Sequence, residues 1–283
     1  MKGYKAFDKD MKCRGFQYEV GKEYGEPEAE ICEKGFHFCE NPLDVLSYYD
    51  LCESTFAEVE ATGKTVGHDG NSKHATTKIK IKAKLDLAGF VKASVDFLLQ
   101  KTKTPKGSGY DAQLASSGDD AKLASSGYDA QLASSGYDAQ LASSGDDAQL
   151  ASSGYDAKLA SSGDDAKLAS SGDSAKLASS GDDAKLASSG DSAQLASAGD
   201  SAKLASSGDS AQLELNGEDS VGAAIGRGGR IKGKIGNWIT LAEWKYDEGR
   251  YVPVCVKSAR IDGKKLKEDT VYMLRDKKFT EVK

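Results

Sequence analysis

A nine-residue unit, Gly-Tyr/Asp-Asp/Ser-Ala-Gln/Lys-Leu-Ala-Ser-Ser, repeats twelve times in unbroken register from Gly109. A fixed period with fixed apolar positions demands stacked copies of one structural unit. Helix is excluded, because a Gly preceded by Ser-Ser every nine residues interrupts it within three turns. Within a unit Asp-Ala-Lys-Leu alternates, so Ala and Leu face one way and Asp and Lys/Gln the other. Ala-Ser-Ser-Gly-Asp then supplies the corner, with Gly free to take a positive φ. The expected fold is mostly β. A parallel β-solenoid over 109–220 follows an N-terminal α+β domain (1–100) and a polar linker (101–108), and precedes a small C-terminal β domain (221–283).

A coil of nine residues is too small to enclose side chains. Two repeats per turn give about six coils and roughly 29 Å of stack at ~4.8 Å per coil, with two sheets facing each other across a thin Ala/Leu interior. The tyrosines give this no support: Tyr110, Tyr128, Tyr137 and Tyr155 fall in repeats 1, 3, 4 and 6, without a clean eighteen-residue alternation. Open rungs expose backbone groups, so both ends need covers. Trp238–Trp244, Tyr251–Val256 and Thr270–Leu274 read as strands of the C-terminal cover.

Charge is unevenly spread. Residues 109–220 carry 19 Asp/Glu against 6 Lys, residues 221–283 carry 15 Lys/Arg against 8 Asp/Glu, and residues 1–108 balance. An acidic middle repels nucleic acid, which excludes direct nucleic-acid binding by the solenoid, and attracts basic protein surfaces. The opening Met1–Asp8 has no apolar signal core and no stretch is long enough to span a bilayer, so a cytoplasmic location without membrane contact is expected. The five cysteines then read as reduced thiols.

In a stack every repeat position becomes a row of like residues. Asp111, Asp120, Asp129, Asp138, Asp147, Asp156, Asp165 and Asp183 are the candidate partner-binding rows. Ser replaces Asp at Ser174, Ser192, Ser201 and Ser210, and Lys122, Lys158, Lys167, Lys176, Lys185 and Lys203 soften the repulsion, as on any solvated surface. Calcium repeats of the toxin type need Gly-Gly-x-Gly-x-Asp-x-apolar-x; here one Gly occurs per unit and Leu lies three residues after Asp. Ice binding through flat Ser/Ala rows is disfavoured by the projecting Lys and Asp. Mimicry of a nucleic-acid backbone remains.

In the first domain Phe56–Ala61 and Thr77–Ala83 alternate as strands, and Pro42–Tyr49 reads as a helix with Asn41 as N-cap and Pro42 at its first position. Cys13, Cys32, His37 and Cys39 are a weak zinc alternative, since no Cys-x-x-Cys knuckle occurs. His68 and His74 carry no signal. No cofactor is expected.

Three segments, Lys2–Phe7, Cys13–Gly21 and Gly35–Pro42, resemble an uncharacterised domain of bacterial and phage proteins, in which such repeats and a basic β cap like Lys232–Trp238 follow. The resemblance implies a phage or prophage origin and no established activity. With the charge pattern, it makes a host nucleic-acid-binding or defence protein the expected partner class. The Gly35–Cys39 strand, the Pro42 helix and Phe56–Glu60 also resemble the strand–helix–strand core of ADP-ribosyltransferase-like folds. That resemblance implies Arg14 on a dinucleotide, Tyr48 or Tyr49 stacking, and Glu58 or Glu60 as the catalytic carboxylate. The primary expectation is a non-catalytic interaction protein. An enzyme carried on a solenoid spacer and an oligomerising structural component of a virion or surface are the alternatives.

Overall fold

The computed structural model describes residues 1–67, 72–102 and 110–282, so most of the expected linker and His68 lie outside the described residues. The chain divides into two compact units, Met1–Phe97 and Leu98–Lys283.

The N-terminal unit is an antiparallel sheet. Its strands are β1 (Lys2–Phe7), β4 (Glu23–Gly25), β5 (Phe36–Cys39), β6 (Thr55–Ala61), β7 (Thr65–Gly67), β8 (Lys73–Thr76) and β9 (Lys78–Leu85), in the order β4-β9-β6-β1-β5-β8-β7. A short ribbon, β2 (Lys12–Cys13) with β3 (Phe16–Gln17), lies outside it. Alternation along β6 sends Ala57, Val59 and Ala61 into an apolar cluster with Phe7, Tyr18, Phe36, Phe38, Ile79 and Ile81. Gly3 is required on β1 because the Phe38 ring lies against it: a Cβ there would sit 2.2 Å from the ring. The opposite face takes α2 (Leu87–Lys101), whose Phe90 stacks on Phe56 at 4.0 Å. This helix is absent from the expectations above.

Helix α1 forms where expected. The Asn41 side chain accepts from the Leu43 N–H, and Pro42 begins the helix. It is shorter than the expected 42–49, ending at Val45, because the chain tightens into turns in which the Tyr48 and Tyr49 N–H groups both donate to the Val45 carbonyl. Ser72 Oγ donates to Asp44 Oδ2 at 2.6 Å and pins the buried helix.

The second unit is the solenoid. Four-residue strands recur every nine residues: β10 (Gln113–Ser116), β11 (Lys122–Ser125), β12 (Gln131–Ser134) and so on to β21 (Gln212–Leu215). Each pairs in parallel with the strand eighteen residues on, so even-numbered strands build one sheet and odd-numbered strands the other. Two repeats per turn is therefore the architecture. The tyrosines follow it after all: Tyr128 stacks on Tyr110 at 5.5 Å and Tyr155 packs tilted on Tyr137 at 6.1 Å, each pair eighteen residues apart on its own corner.

Ala at the fourth position and Leu at the sixth fill the interior, as expected, from Ala130 and Leu132 to Ala211 and Leu213. Serines of the eighth position also point inward, and several accept the N–H of the following Gly, as Ser143 Oγ does from Gly145 at 3.2 Å. The strand itself is Gln/Lys-Leu-Ala-Ser, shifted from the expected Asp-Ala-Lys-Leu.

The corner is also built differently from the expectation. Positive φ belongs to the third position, Asp or Ser, from Asp111 at 58° to Ser210 at 57°, and not to Gly. Asp tolerates this left-handed conformation better than most side chains because its carboxylate bonds locally. Gly is needed for close approach. A Cβ on Gly163 would lie 2.2 Å from the Gly145 carbonyl oxygen of the coil before, and the same clash recurs along the stack.

The winding continues past the expected boundary at 220, making about seven turns in all over 113–241. Strands β22 (Val221–Ala224), β23 (Arg230–Gly233) and the start of β24 (Trp238–Asp247) keep the parallel register. Two antiparallel hairpins then close the end: β24 with β25 (Arg250–Arg260), and β26 (Tyr272–Arg275), bridged to β23, with β27 (Lys278–Glu281). Ile261, Leu266, Tyr272 and Leu274 plug the apolar interior. Buried Asn237 donates to the Leu215 and Gly217 carbonyls and accepts from the Ser220 N–H, satisfying backbone groups of the last coils.

Candidate functional site

The corners of the solenoid carry its charge. On the corner before the even strands, the second and third positions run Tyr110-Asp111, Tyr128-Asp129, Asp146-Asp147, Asp164-Asp165, Asp182-Asp183, Asp200-Ser201 and Glu218-Asp219. On the other they run Asp119-Asp120, Tyr137-Asp138, Tyr155-Asp156, Asp173-Ser174, Asp191-Ser192 and Asp209-Ser210. Of the eight expected partner-binding residues, Asp111, Asp129, Asp147, Asp165 and Asp183 share the even corner. Asp120, Asp138 and Asp156 lie on the odd one. Three of the four serine replacements fall on the odd corner, so the even corner is the more continuous anionic edge.

The two Asp positions have different duties. A second-position carboxylate accepts the N–H of the residue above it in the next coil: Asp164 from Asp182 at 2.9 Å, Asp182 from Asp200 at 2.8 Å, Asp200 from Glu218 at 2.6 Å. The third-position N–H donates onward to the next coil's second-position carbonyl, as Asp147 does to Asp164 at 2.9 Å. Second-position Asp is thus partly a structural clip, while third-position Asp projects with its carboxylate toward solvent or Lys. Lys158 meets Asp138 at 3.2 Å, Lys203 meets Asp183 at 3.9 Å and Lys185 meets Asp165 at 4.0 Å. The odd column ends on a cation: Arg227 forks onto Asp209 and lies 3.9 Å over the Tyr251 ring. This contact holds the Asp209 carboxyl below the ordinary carboxylate range.

The N-terminal unit holds a cavity of about 770 Å³. Sheet strands β1 and β5 supply Lys5, Phe7, Phe36, His37 and Phe38. The turn after β2 supplies Arg14, and the turns after α1 supply Tyr48 and Tyr49. Cys13 Sγ lies 3.6 Å from Lys5 Nζ and 3.3 Å from the Tyr49 hydroxyl. Burial, then the Cys13 contact, pushes the Tyr49 phenol up, and burial pushes Tyr18 and Cys39 up to about 12.

Arg14, Tyr48 and Tyr49 therefore do meet at one cavity, but Glu58 and Glu60 do not join them. Both point from β6 to the sheet face opposite Ala57 and Val59, where Glu58 pairs with Lys2 at 2.9 Å and Glu60 with Lys82 at 3.3 Å. The structure thus separates the acids from the residues that the transferase resemblance would place beside them. Cys13, Cys32, His37 and Cys39 all reach the cavity wall, yet no group of three metal-ligating side chains comes together among the described residues. His37 Nε2 instead accepts from the Cys32 N–H at 2.9 Å, and burial lowers its pKa. None of the five cysteines is in a disulfide among the described residues. Sequence reasoning missed Lys5, whose burial depends on pairing between distant strands.

No helix among the described residues is long and apolar enough to cross a membrane. No curated protein and no solved structure matches the chain. Residues 1–93, which make up nearly all of the N-terminal unit, match a family described as a domain of unknown function (DUF7666).

Proposed function

We propose that this chain is a non-catalytic interaction protein whose even solenoid corner docks a basic partner surface. The observation that carries the reading is the twin-carboxylate column Asp146-Asp147, Asp164-Asp165 and Asp182-Asp183 in three successive coils, extended by Asp200, Glu218 and Asp219. Coils spaced by ~4.8 Å sit within one Debye length, about 8 Å at physiological salt, so the potentials of neighbouring carboxylates add. The backbone beneath them is already ordered, and little conformational entropy is lost on docking. A stiff row of regularly spaced anions suits a groove shaped for a nucleic-acid backbone. The resemblance of the opening segments to phage-borne domains points the search to basic nucleic-acid-handling or defence proteins of a bacterial host.

The test is retention of bacterial basic proteins on the immobilised chain at low and high salt. An Asp147→Asn, Asp165→Asn, Asp183→Asn variant removes even-corner charge while leaving the second-position clips in place. An Asp120→Asn, Asp138→Asn, Asp156→Asn variant does the same on the odd corner. Salt-sensitive retention lost only in the first variant supports the reading, and equal behaviour of the two variants removes it.

A further inference from the structure

The cavity contains a buried ammonium group with no carboxylate beside it among the described residues. Lys5 is 5 % exposed, and among the described residues its Nζ reaches the His37 carbonyl oxygen at 3.1 Å and Cys13 Sγ at 3.6 Å, over the rings of Phe7 and Tyr49. Burying an ammonium is strongly unfavourable unless an opposite charge compensates it. Desolvation accordingly pushes Lys5 below the ordinary lysine range.

Four acids line the same cavity, and none of them is a partner of Lys5 among the described residues. Asp8 Oδ1 accepts the N–H groups of Asp10 and Lys12, Asp50 Oδ1 accepts those of Cys52 and Glu53, and the Glu26 and Glu53 side chains are exposed. Arg14 adds a second cation. It sits in the left-handed region at φ 50°, and its exposed guanidinium makes no hydrogen bond or ion pair among the described residues. A non-glycine residue held there is strained, and such residues concentrate at functional sites. Tyr48 and Tyr49 stand beside these cations, and Lys73 lies 4.2 Å over the Tyr48 ring.

We propose that this cavity binds a phosphorylated ligand bearing a flat ring, with the phosphate toward Lys5 and Arg14 and the ring against Tyr48 and Tyr49. Nucleoside phosphates are the chemical class with both parts, and the cavity volume falls within the roughly 300–1,000 Å³ of small-molecule sites. The phosphate completes the charge balance that the fold leaves open at Lys5. Arg14 grips it as a fork and Lys5 as a point charge. Tyrosine faces then stack on the base. This site is independent of the solenoid corner.

The experiment is titration calorimetry of the full chain with AMP and ADP, beside adenosine, which lacks the anion, and pyrophosphate, which lacks the ring. AMP or ADP binds, adenosine and pyrophosphate bind at least about tenfold more weakly, and Arg14→Gln weakens ADP by at least about tenfold. Lys5→Met keeps the stem volume, removes the charge and abolishes binding while thermal melting stays cooperative. The exposed Arg14→Gln decides the matter where Lys5→Met fails to fold. Absence of AMP and ADP binding at millimolar ligand, binding unchanged by Arg14→Gln, or pyrophosphate as tight as ADP overturns the proposal.

Discussion

Replacing Gly163 with Ala should split the solenoid, whereas the same change at Gly118 should leave it intact. Both glycines open a repeat and neither needs a positive φ, so backbone strain is the same at the two sites. They differ in what lies beneath. A Cβ at Gly163 meets the Gly145 carbonyl oxygen at 2.2 Å and its carbon at 2.4 Å, whereas at Gly118 the nearest atom is Ser116 Oγ at 3.7 Å. Backbone cannot rotate out of the way, so the coils must part by about the missing ångström or more. Three bonds span that gap beside Gly163: Ser162 N–H to the Ser143 carbonyl at 3.0 Å, Asp164 N–H to Asp146 Oδ1 at 3.0 Å, and Asp147 N–H to the Asp164 carbonyl at 2.9 Å. At about 1 kcal/mol each, Gly163→Ala costs about 3 kcal/mol. Gly118→Ala stays within about 0.5 kcal/mol of the parent or gains slightly, because Ala narrows the unfolded ensemble. With a urea slope of roughly 2 kcal/mol/M, the first variant loses about 1.5 M in midpoint. Hydrogen exchange should place the new opening between the coils of Gly145 and Gly163, as nearest-neighbour stacking requires. Equal midpoints for the two variants would refute the close-approach argument.

The two aspartate positions should separate by stability as well. Asp164→Ala removes the acceptor of the Asp182 N–H and costs about 1 kcal/mol, while Asp165→Asn, in a left-handed position that Asn accepts, changes the unfolding midpoint little. Ser179 Oγ is buried without a hydrogen-bond partner, so Ser179→Ala should raise stability by about 1 kcal/mol, and a lower midpoint would show that the hydroxyl is used. Asp209 has its pKa lowered by the Arg227 hydrogen bond. A depressed folded-state pKa stabilises the fold above the ordinary carboxylate pKa and loses that contribution as pH falls through the lower folded value. NMR titration should therefore find Asp209 protonating below the ordinary carboxylate range, and Arg227→Gln should move it back up.

What the sequence reveals here depends on whether a constraint is local. Ala and Leu spacing reports the interior directly, and the size of side chains forces eighteen residues per turn. The role of Gly is not local, because a missing Cβ is equally compatible with a positive φ or a close neighbour. The restriction of the third position to Asp and Ser, and tyrosine pairs eighteen residues apart, were the available signals for the corner. The last coils escape notice because their interior is filled by compensation. Gly222 takes the place of a Leu where Leu215 and Ile231 crowd in, and a Cβ there would stand 3.0 Å from Leu215. In the N-terminal unit Arg14 and the tyrosines are nominated only by the resemblance to transferase-like folds. The separation of Glu58 and Glu60 from them follows from which way β6 alternates against the apolar cluster.

A repeat of nine in a turn of eighteen also limits how such a chain can lengthen without losing its anionic edge. Inserting one nonapeptide after Ser171 leaves every stacking rule satisfied, because each coil contacts only its neighbours, and the C-terminal hairpins still follow the last coil. Every downstream residue nevertheless changes sheet. Ser174, Ser192 and Ser210 move to the corner carrying Asp147 and Asp165, while Asp182-Asp183 crosses to the other side, and the twin-carboxylate column is cut after Asp165. Inserting two nonapeptides restores the original faces and lengthens the stack by one coil of ~4.8 Å. The two insertions should be equally folded by circular dichroism and urea midpoint. Salt-sensitive retention of the basic partner should survive only in the eighteen-residue insertion. Retention that persists at full strength in the nine-residue insertion would mean that net charge, and not an ordered edge, attracts the partner.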